Sequence, residues 1–356
     1  IKAKSNLTIY MGFASPYSNM FNGLNVGEAP QLSQQYGQYD DGANVFLYYT
    51  NFKNLNGWNI KNAEISYGKG LNISFNGYGY VVTSEKYGPG TAFMSYITGI
   101  SDTDNVGFFD TNELLNGGTA WAGAFIRLAC GNTYPDQWNA SGEANACGHL
   151  YGYFTDVEGV AGIYYVEILN STSSKQSLNS IQSEVINTDY PSYPTSAGFS
   201  GRGNLDAQWA AVLEMPPGGV MPSASFGPVY NSSLSAGINV PNGILRYVPI
   251  TISNYQSVGA QEPYQQMIAV DLSDYNQYIS PDLQNIEFFY ANGTIIPSWL
   301  ESTNYRGPLS ESSLIIKVSP ANSWIAVNGE PVYPNASGYA VLEGLQPGQC
   351  QVFAEN

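Results

Sequence analysis

Apolar and polar residues alternate with a period of two along most of the chain, and no other feature limits its possible folds as strongly. The clearest case is the segment 6–13, in which every odd-numbered residue is large and apolar: Leu7, Ile9, Met11 and Phe13. No stretch sustains the i, i+3, i+4, i+7 stripe of an amphipathic helix for more than about two turns. We therefore expect an all-β protein whose strands join larger sheets.

Chain length and charge restrict the domain organisation and the partners. The 356 residues exceed the roughly 250 at which a single core stops growing, so several modules are expected. The 28 acidic and 12 basic residues give a net charge of −16, and no basic cluster is present. This balance excludes nucleic acid as a partner. The longest apolar run, 119–130, is shorter than the roughly 20 residues of a bilayer span, so no membrane span is expected.

Asn-x-Ser/Thr sequons occur along the whole chain and predict N-linked glycans on several of them. They are Asn6, Asn72, Asn139, Asn170, Asn231, Asn292 and Asn335. Charged residues make up only 11% of the chain, so neutral polar groups and sugar would keep it soluble. These features predict an extracellular, cell-surface location, with the first residues being a processed start. The low charge density would also suit an acidic medium, in which protonated carboxyl groups leave a modest positive charge.

The three cysteines do not fit a metal site. Cys130 and Cys147 lie in a Gly/Asn-rich stretch and predict a disulfide whose loop closure contributes about 3 kcal/mol, the alternative being two buried thiols. Cys350 is left over, either free or paired. Three cysteines with the single His149 cannot form a standard zinc site.

The spacing of strands and turns divides the chain into five regions. In order, they are a strand (1–14), a turn-rich connector (15–44), a jelly roll or sandwich (45–235), a β-sandwich module (236–310) and a small β domain (311–356). Within the third region, 72–75 and 80–83 predict two strands on either side of an Asn76-Gly77 turn. The polar stretch 171–187 predicts a short helix or an extended loop, and 198–203 a flexible loop.

Several segments resemble a β module of unknown function that recurs in secreted archaeal surface proteins. Its opening strands are similar to 247–254, 264–268 and 285–301, and its closing strand is similar to 7–14. In that family a connector similar to 26–30 and 39–43 follows the closing strand. A concanavalin-A-like jelly roll comes next, which the resemblance implies for 45–235. The turns at 327–330 and 342–348 make the last region similar to small PEGA-type β domains.

The order of these segments is permuted relative to the family, because the closing strand lies at 6–13 and the opening strands at 246–301. An incomplete sheet exposes backbone groups and apolar side chains, so the missing strand has to be supplied. Folding back onto the same chain would give a closed monomer. Insertion into the next molecule would give a head-to-tail filament, as in donor-strand complementation.

We expect the filament, and therefore a structural or adhesive subunit whose partner is a further copy of itself, with glycans or other cells as possible adhesion targets. The donor residues would be Leu7, Ile9, Met11 and Phe13. The chain as one piece of a longer multi-module protein, without a polymer, is a further alternative.

Carbohydrate binding is the alternative function, since Trp faces stack on sugar rings and Trp58, Trp121 and Trp138 lie in the jelly-roll region. Core packing is the commoner role of tryptophan. A glycosidase is a lesser alternative that needs two carboxylates across the sugar.

The best acids for such a glycosidase are Asp156, Glu158 and Glu167, but the Glu-x-Asp-x-x-Glu strand pattern of laminarinase-like enzymes is absent. A Ser-His-Asp hydrolase would have to use His149, but the sequence has no Gly-x-Ser-x-Gly nucleophile elbow to accompany it. We therefore interpret His149 as a structural turn residue. We therefore expect no enzyme.

A weak calcium motif is present at Asp102, Asp104 and Asp110, where oxygen ligands alternate around Gly107. The bidentate Glu that would close a calcium loop is missing, so a solvated turn is the alternative. Apart from calcium, no cofactor is expected besides the N-linked glycans.

Overall fold

A computed structural model describes residues 1–101, 104–110, 123–129, 132–138, 162–171, 173–178, 182–187, 193–234, 237–260 and 265–301, together with five strands between 312 and 355. The chain divides into two compact units. The first comprises Ile1–Ile268 and Ser280–Ser302, and the second Ala269–Ile279 and Thr303–Asn356.

Strands make up most of the first unit, as the period-two alternation predicts. In chain order, its described strands are β1 (Ser5–Phe13), β2 (Val26–Glu28), β3 (Tyr48–Thr50), β4 (Trp58–Gly68), β5 (Gly70–Tyr87), β6 (Thr91–Ser101), β7 (Asp104–Phe109), β8 (Gly123–Ala129), β9 (Asn132–Trp138), β10 (Gly162–Asn170), β11 (Ser173–Leu178), β12 (Gln182–Asn187), β13 (Thr195–Gly201), β14 (Asn204–Glu214), β15 (Ser223–Phe226), β16 (Tyr230–Asn231), β17 (Arg246–Asn254), β18 (Ile286–Phe289), β19 (Ile295–Ile296) and β20 (Ser298–Leu300). A four-residue helix, α1 (Gly42–Val45), and 3-10 turns at Pro217–Gly219 and Ser232–Leu234 lie between them.

A twelve-stranded antiparallel sheet, the large sheet, forms the jelly roll. Its hydrogen-bonded order is β12-β11-β10-β6-β14-β5-β13-β7-β8-β9, with β3 beside β14 and β4 beside β5. Although β10 and β8 are distant along this order, they also contact each other across the interior. The sheet therefore curls over on itself into a sandwich, which confirms the all-β jelly-roll fold class.

The inner face of the large sheet carries the main core. Phe93, Phe108, Phe199 and Tyr164 have no exposed surface, and Trp58 stacks on Phe199 with ring centroids 6.1 Å apart. Each such side chain stabilises the fold by roughly 1.5–3 kcal/mol when it leaves water. These residues alternate with outward-facing ones, so the strand period alone determines which side chains enter the core.

A second apolar cluster, the outer-face cluster, covers the opposite side of strands β6, β10 and β14. It consists of Ala92, Met94, Ile163, Tyr165, Trp209, Ala211, Leu213 and Met215. Side chains from the rest of the first unit pack on it: Phe46, Tyr49, Met221 and Trp299. Trp209 and Trp299 meet edge to face at 5.0 Å, so the large sheet has a second layer on this side.

The small sheet has the order β15-β17-β1-β18-β19, with β16 beside β17. It brings the N-terminal strand together with the strands of the 246–301 region. The sequence placed the module boundary between 235 and 236, whereas the chain already joins the small sheet at Ser223. A separate parallel pair, β2 with β20, ties the 15–44 region to the same part of the unit.

Three local predictions in the jelly-roll region were wrong. Residues 76–79 do not reverse the chain but interrupt the pairing of one long strand, β5, with β4, where Lys61 pairs with Tyr80 and Ala63 with Phe75. Polar residues 173–178 and 182–187 form strands β11 and β12, because they add to the edge of the large sheet beside β10. The expected loop 198–203 begins inside β13, which is buried throughout Thr195–Gly201.

The second unit is also built from strands. In its described residues β21 (Ser312–Lys317) pairs with β24 (Tyr339–Leu345), and β22 (Trp324–Val327) pairs with both β23 (Glu330–Val332) and β25 (Val352–Glu355). A 3-10 turn at Leu272–Tyr275 begins where the Asp271 carboxylate accepts a hydrogen bond from the Ser273 amide at 2.9 Å. The similarity of this region to PEGA-type domains stays a prediction. Among the described residues, no helix has the length and apolar character of a membrane span.

Candidate assembly site around the N-terminal strand

The N-terminal strand is an interior strand of the small sheet. All nine residues of β1 pair antiparallel with β17, from Ser5 opposite Asn254 to Phe13 opposite Arg246. On its other side, Tyr10 to Phe13 pair with β18. A segment at the very end of the described chain therefore completes the middle of a sheet.

The predicted donor residues lie on one face of β1, as the alternation requires. Met11 and Phe13 are each 1% exposed and Ile9 is 5% exposed, while Leu7 is half-buried. Residues opposite them on β17 include Val248 and Ile250, which are completely buried. Removal of β1 would expose this apolar face together with the backbone edges of both neighbouring strands.

The other face of β1 is closely covered near its end. A Cβ at Gly12 would come within 3.0 Å of side-chain atoms of Ile244 and Phe289. Tyr10 stacks on Phe289 at 5.4 Å and meets Tyr247 edge to face at 5.7 Å. Aromatic contacts of this kind contribute about 0.5–1.5 kcal/mol beyond the burial of area.

Hydrogen bonds continue the attachment on both sides of the strand. The Asn254 side-chain amide donates to the carbonyl oxygen of Ile1 at 3.3 Å, and the Lys4 amide donates to Gln256 at 3.1 Å. After the strand, the Ala14 amide donates to the carbonyl oxygen of Asn285 at 2.9 Å. The Asn285 side chain in turn donates to the Ala14 carbonyl, also at 2.9 Å.

A tight, exposed turn separates this attached segment from β2. Phe21 is buried, but Asn22, Leu24 and Asn25 are exposed. The Asn22 side-chain oxygen accepts hydrogen bonds from the Leu24 and Asn25 amides, both at 2.9 Å. Asn/Gly turns of this type form locally and need little support from the rest of the fold.

Buried acids surround the connector and the strand, and the sequence interpretation missed them. Glu28 in β2 is 6% exposed, Asp41 2% and Glu287 in β18 2%. Burial raises the pKa of all three carboxyl groups, and that of Asp41 rises to about 7 with a contribution from neighbouring Asp40. Of the three, Glu287 has a signal in the sequence, because it is an acid within the otherwise apolar run 286–289.

In the single chain, β1 lies in the sheet of its own molecule. Of the two arrangements that the permuted sequence allows, the closed monomer and the filament, this is the closed one. A filament requires a second copy, so donation to a neighbour stays a prediction.

The outer aromatic face of the jelly roll is covered by its own chain. Trp209 is fully buried, and its indole N–H donates to the Gln31 side chain at 2.8 Å. The Tyr36 hydroxyl donates to the Gln208 carbonyl at 2.8 Å. Residues of the connector and of β20 thus cover this face.

Of the three tryptophans considered for sugar binding, Trp58 is a core residue. It is 8% exposed, and its indole N–H donates to the Tyr48 hydroxyl at 2.6 Å. Trp138 belongs to β9, and Trp121 lies outside the described residues.

The glycosidase acids are not assembled into an open site among the described residues. Glu167 has no exposed surface, accepts a hydrogen bond from the Tyr165 hydroxyl at 2.7 Å and lies opposite Lys175 on β11. Burial raises its pKa, partly offset by Tyr165 and Lys175. It is closed off by Gly219, where a side chain would overlap with the carboxylate. Asp156, Glu158 and His149 lie outside the described residues.

The two described calcium candidates, Asp104 and Asp110, lie apart. Asp104 begins strand β7 and Asp110 follows its end, so they are about 20 Å apart at the rise of a strand. Asp104 accepts a hydrogen bond from the Gly203 amide at 3.1 Å, and Asp110 accepts one from the Tyr193 hydroxyl. Asp102, like Cys130, Cys147 and Cys350, lies outside the described residues. Within them, no group of three or more His, Cys, Asp or Glu residues could hold a metal ion.

The sequons differ in their surroundings. Asn6, Asn170 and Asn292 are exposed, and Asn231 is half-buried. The Asn72 side-chain amide donates to Asp206 at 2.6 Å and is therefore engaged in the large sheet. Asn139 and Asn335 lie outside the described residues.

No family model and no curated protein matches the sequence. Solved structures with some similarity include the SPRY domain of human HERC1, at 10% identity and a TM-score of 0.31 over 45% of this chain and 98% of that one. The carbohydrate recognition domain of Emp46p in its metal-free form matches at 13% identity and a TM-score of 0.32, over 50% and 95% of the two chains. A β-1,3-glucanase from Mycobacterium marinum matches at 8% identity and a TM-score of 0.29, over 47% and 98%. Similarity at this level supports no inference about ligand, activity or partner, and the resemblance to archaeal surface proteins stays a prediction.

Proposed function

We propose that the protein is a structural subunit of an extracellular assembly, in which the N-terminal strand of one copy completes the small sheet of the next. The observation that carries the proposal is the position of β1, which lies between β17 and β18 with its apolar face buried although both neighbours are distant in the chain. Exchange between identical molecules replaces each strand pairing with the same pairing, so the groove between β17 and β18 can accept the β1 strand of another molecule.

The length of the connecting segment supports exchange. Strand β1 ends at Phe13 and β2 begins at Val26, so residues 14–25 join them. Twelve extended residues span at most about 40 Å, which exceeds the roughly 30 Å diameter of a small domain. Strand β1 can therefore reach a neighbouring copy while β2 keeps its place beside β20. The exposed turn at Asn22–Asn25 is the natural hinge. Opening it breaks the hydrogen bonds within the turn and those that the Leu24 and Asn25 carbonyls accept from the Asn44 side chain and the Ser298 amide.

The other functions considered have weaker support. The outer aromatic face is covered by Gln31, Tyr36 and Trp299, which disfavours sugar binding on that side. The one described glycosidase acid, Glu167, is sealed from solvent. Secretion and attached glycans belong to the same proposal, supported by the exposed sequons Asn6, Asn170 and Asn292.

A disulfide lock tests the proposal. Thr8 and Thr251 are cross-strand neighbours, and Thr8 is exposed, so replacing both with cysteine and joining the thiols directly or through a short linker ties β1 to its own sheet. We expect the locked monomer to stay unassembled in light scattering and electron microscopy, and reduction to restore assembly. The single variant Thr8→Cys is the control for the substitution itself. Normal assembly of the locked chain would overturn the proposal.

A further inference from the structure

Three buried carboxyl groups lie within residues 1–41, here called the N-terminal segment, or directly against them. Glu28 is in β2, Asp41 closes the connector just before α1, and Glu287 in β18 is opposite Gly12 of β1. None is more than 6% exposed. None of the three forms an ion pair with a described residue.

No described residue places a positive charge beside Glu28 or Asp41. Glu28 accepts a hydrogen bond from the Ser33 hydroxyl at 2.6 Å, and the charged group that acts on it is another acid, Asp282. Neither oxygen of Asp41 has a hydrogen-bond partner on another described residue. Asp41 lies against the backbone of Gly27, where a side chain would overlap with it, and near Asp40 and the phenol of Tyr49.

Glu287 is equally isolated in the groove that receives β1. Its Oε1 atom is buried without a hydrogen-bond partner among the described residues. The β1 residue opposite is glycine, and the described titratable groups on the same face of the sheet include the phenols of Tyr10, Tyr247 and Tyr230. Desolvation is therefore the dominant influence on this carboxyl group.

Burying an unpaired carboxylate costs much more free energy than burying a protonated carboxyl group. A group whose pKa is raised in the folded state stabilises that state fully below its ordinary pKa and loses this contribution as the pH rises through the folded value. For Asp41 this window extends from about 4 to about 7. For Glu28 and Glu287 the direction is the same.

We propose that these three groups form an acid-dependent latch, which holds the N-terminal segment in the sheet while they are protonated and loosens it as they ionise. The latch acts on β1 and β2, because each group borders one of those strands or the connector between β2 and α1. The proposal concerns a single chain and stands whether or not a second copy ever receives the strand.

Hydrogen exchange followed by mass spectrometry on the full chain tests the latch. After correction for intrinsic exchange rates, protection of 5–13 and 26–28 should fall between pH 4 and 7, by up to tenfold per pH unit for each proton lost on opening. Protection of the large-sheet strands β13 and β14 should fall much less. Equal changes in both regions, or a pH-independent N-terminal segment, would overturn the proposal.

Isosteric variants identify the groups responsible. Glu287→Gln and Asp41→Asn keep the shape of the protonated acid and cannot ionise, so each should reduce the pH dependence of β1 or β2 protection. Glu167→Gln, a buried acid of the large sheet away from the segment, is the matched control and should leave that dependence unchanged. A combined Glu287→Gln and Asp41→Asn chain with the pH profile of the unmodified protein would contradict the latch.

Discussion

Replacing Phe13 with alanine should destabilise the first unit far more than replacing an exposed residue of the same strand. Phe13 is the last residue of β1, is 1% exposed and pairs with Arg246 and Ile286. Phe13→Ala removes a whole ring from a packed site, and such changes typically cost about 3–5 kcal/mol because a cavity is added to the lost transfer free energy. The matched control is Thr8→Ala on the same strand, where the side chain is exposed and a change within about 0.5 kcal/mol is expected.

The measurement has to be local, because a chain with two compact units need not unfold in one step. Native-state hydrogen exchange of β17, the long neighbour of β1, reports the opening free energy of the small sheet directly. We expect it to fall by about 3–5 kcal/mol in Phe13→Ala and hardly at all in Thr8→Ala. A loss below about 1 kcal/mol, or equal losses in the two variants, would show that β1 is not an integral strand.

Three further changes probe the connector and its acids. Gly27→Ala should cost about 1–3 kcal/mol or more in urea unfolding, because its Cβ would overlap with the Asp41 carboxylate; Gly88→Ala, with open space around it, is the control. The pKa of Asp41 rises from 3.8 to about 7 in the folded state, so its ionisation should lower the free energy of unfolding between about pH 4 and 7. The loss should be at most about 4 kcal/mol, or about 2 kcal/mol after allowance for solvent screening. Thermal unfolding across that pH range measures the loss, and Asp41→Asn should reduce the pH dependence. Gln31→Ala leaves the buried Trp209 indole N–H without its acceptor, for an expected loss of about 1–3 kcal/mol by denaturant titration, and an unchanged midpoint would contradict this.

Strand content and the pairing of distant segments were accessible from the sequence. The alternation of Leu7, Ile9, Met11 and Phe13 predicts both a strand and its buried face, and the structure has both. Tyr247–Asn254 and Ile286–Phe289 likewise form the strands expected of them, in one sheet with β1, whereas 265–268, which belongs to the third expected strand, is not a strand. These predictions succeed because a period of two relates burial to position within each strand, whatever the surrounding fold.

Edges, breaks and connectors could not be predicted in the same way. The Asn76-Gly77 pair has the composition of a hairpin turn, but tertiary pairing on both sides keeps β5 running in one direction. Polar strands such as β11 form because the neighbouring strand offers a free edge, which no local pattern encodes. The turn-rich composition of the connector gives no sign of a core, yet Val26 and Ala29 within it are buried.

The buried acids at the candidate site show a further limit of reading the sequence. Asp41 follows Asp40 in what reads as a polar turn, and only the approach of Gly27 shows that its carboxylate is enclosed. The cost of burying an acid depends on the groups around it, and these come from distant parts of the chain. A period-two pattern contains no such information.

Mixing two chains that each carry one added cysteine tests the central claim most directly. A chain with Thr8→Cys and a second with Thr251→Cys cannot form the β1–β17 cross-link within one molecule, but the two residues are neighbours whenever one chain's strand occupies the other's sheet. After coassembly and oxidation, we expect a mixed dimer on a non-reducing gel, with the joined peptides identified by mass spectrometry. Assembled material that contains no mixed cross-link, while the double variant links within its own chain, would contradict strand exchange.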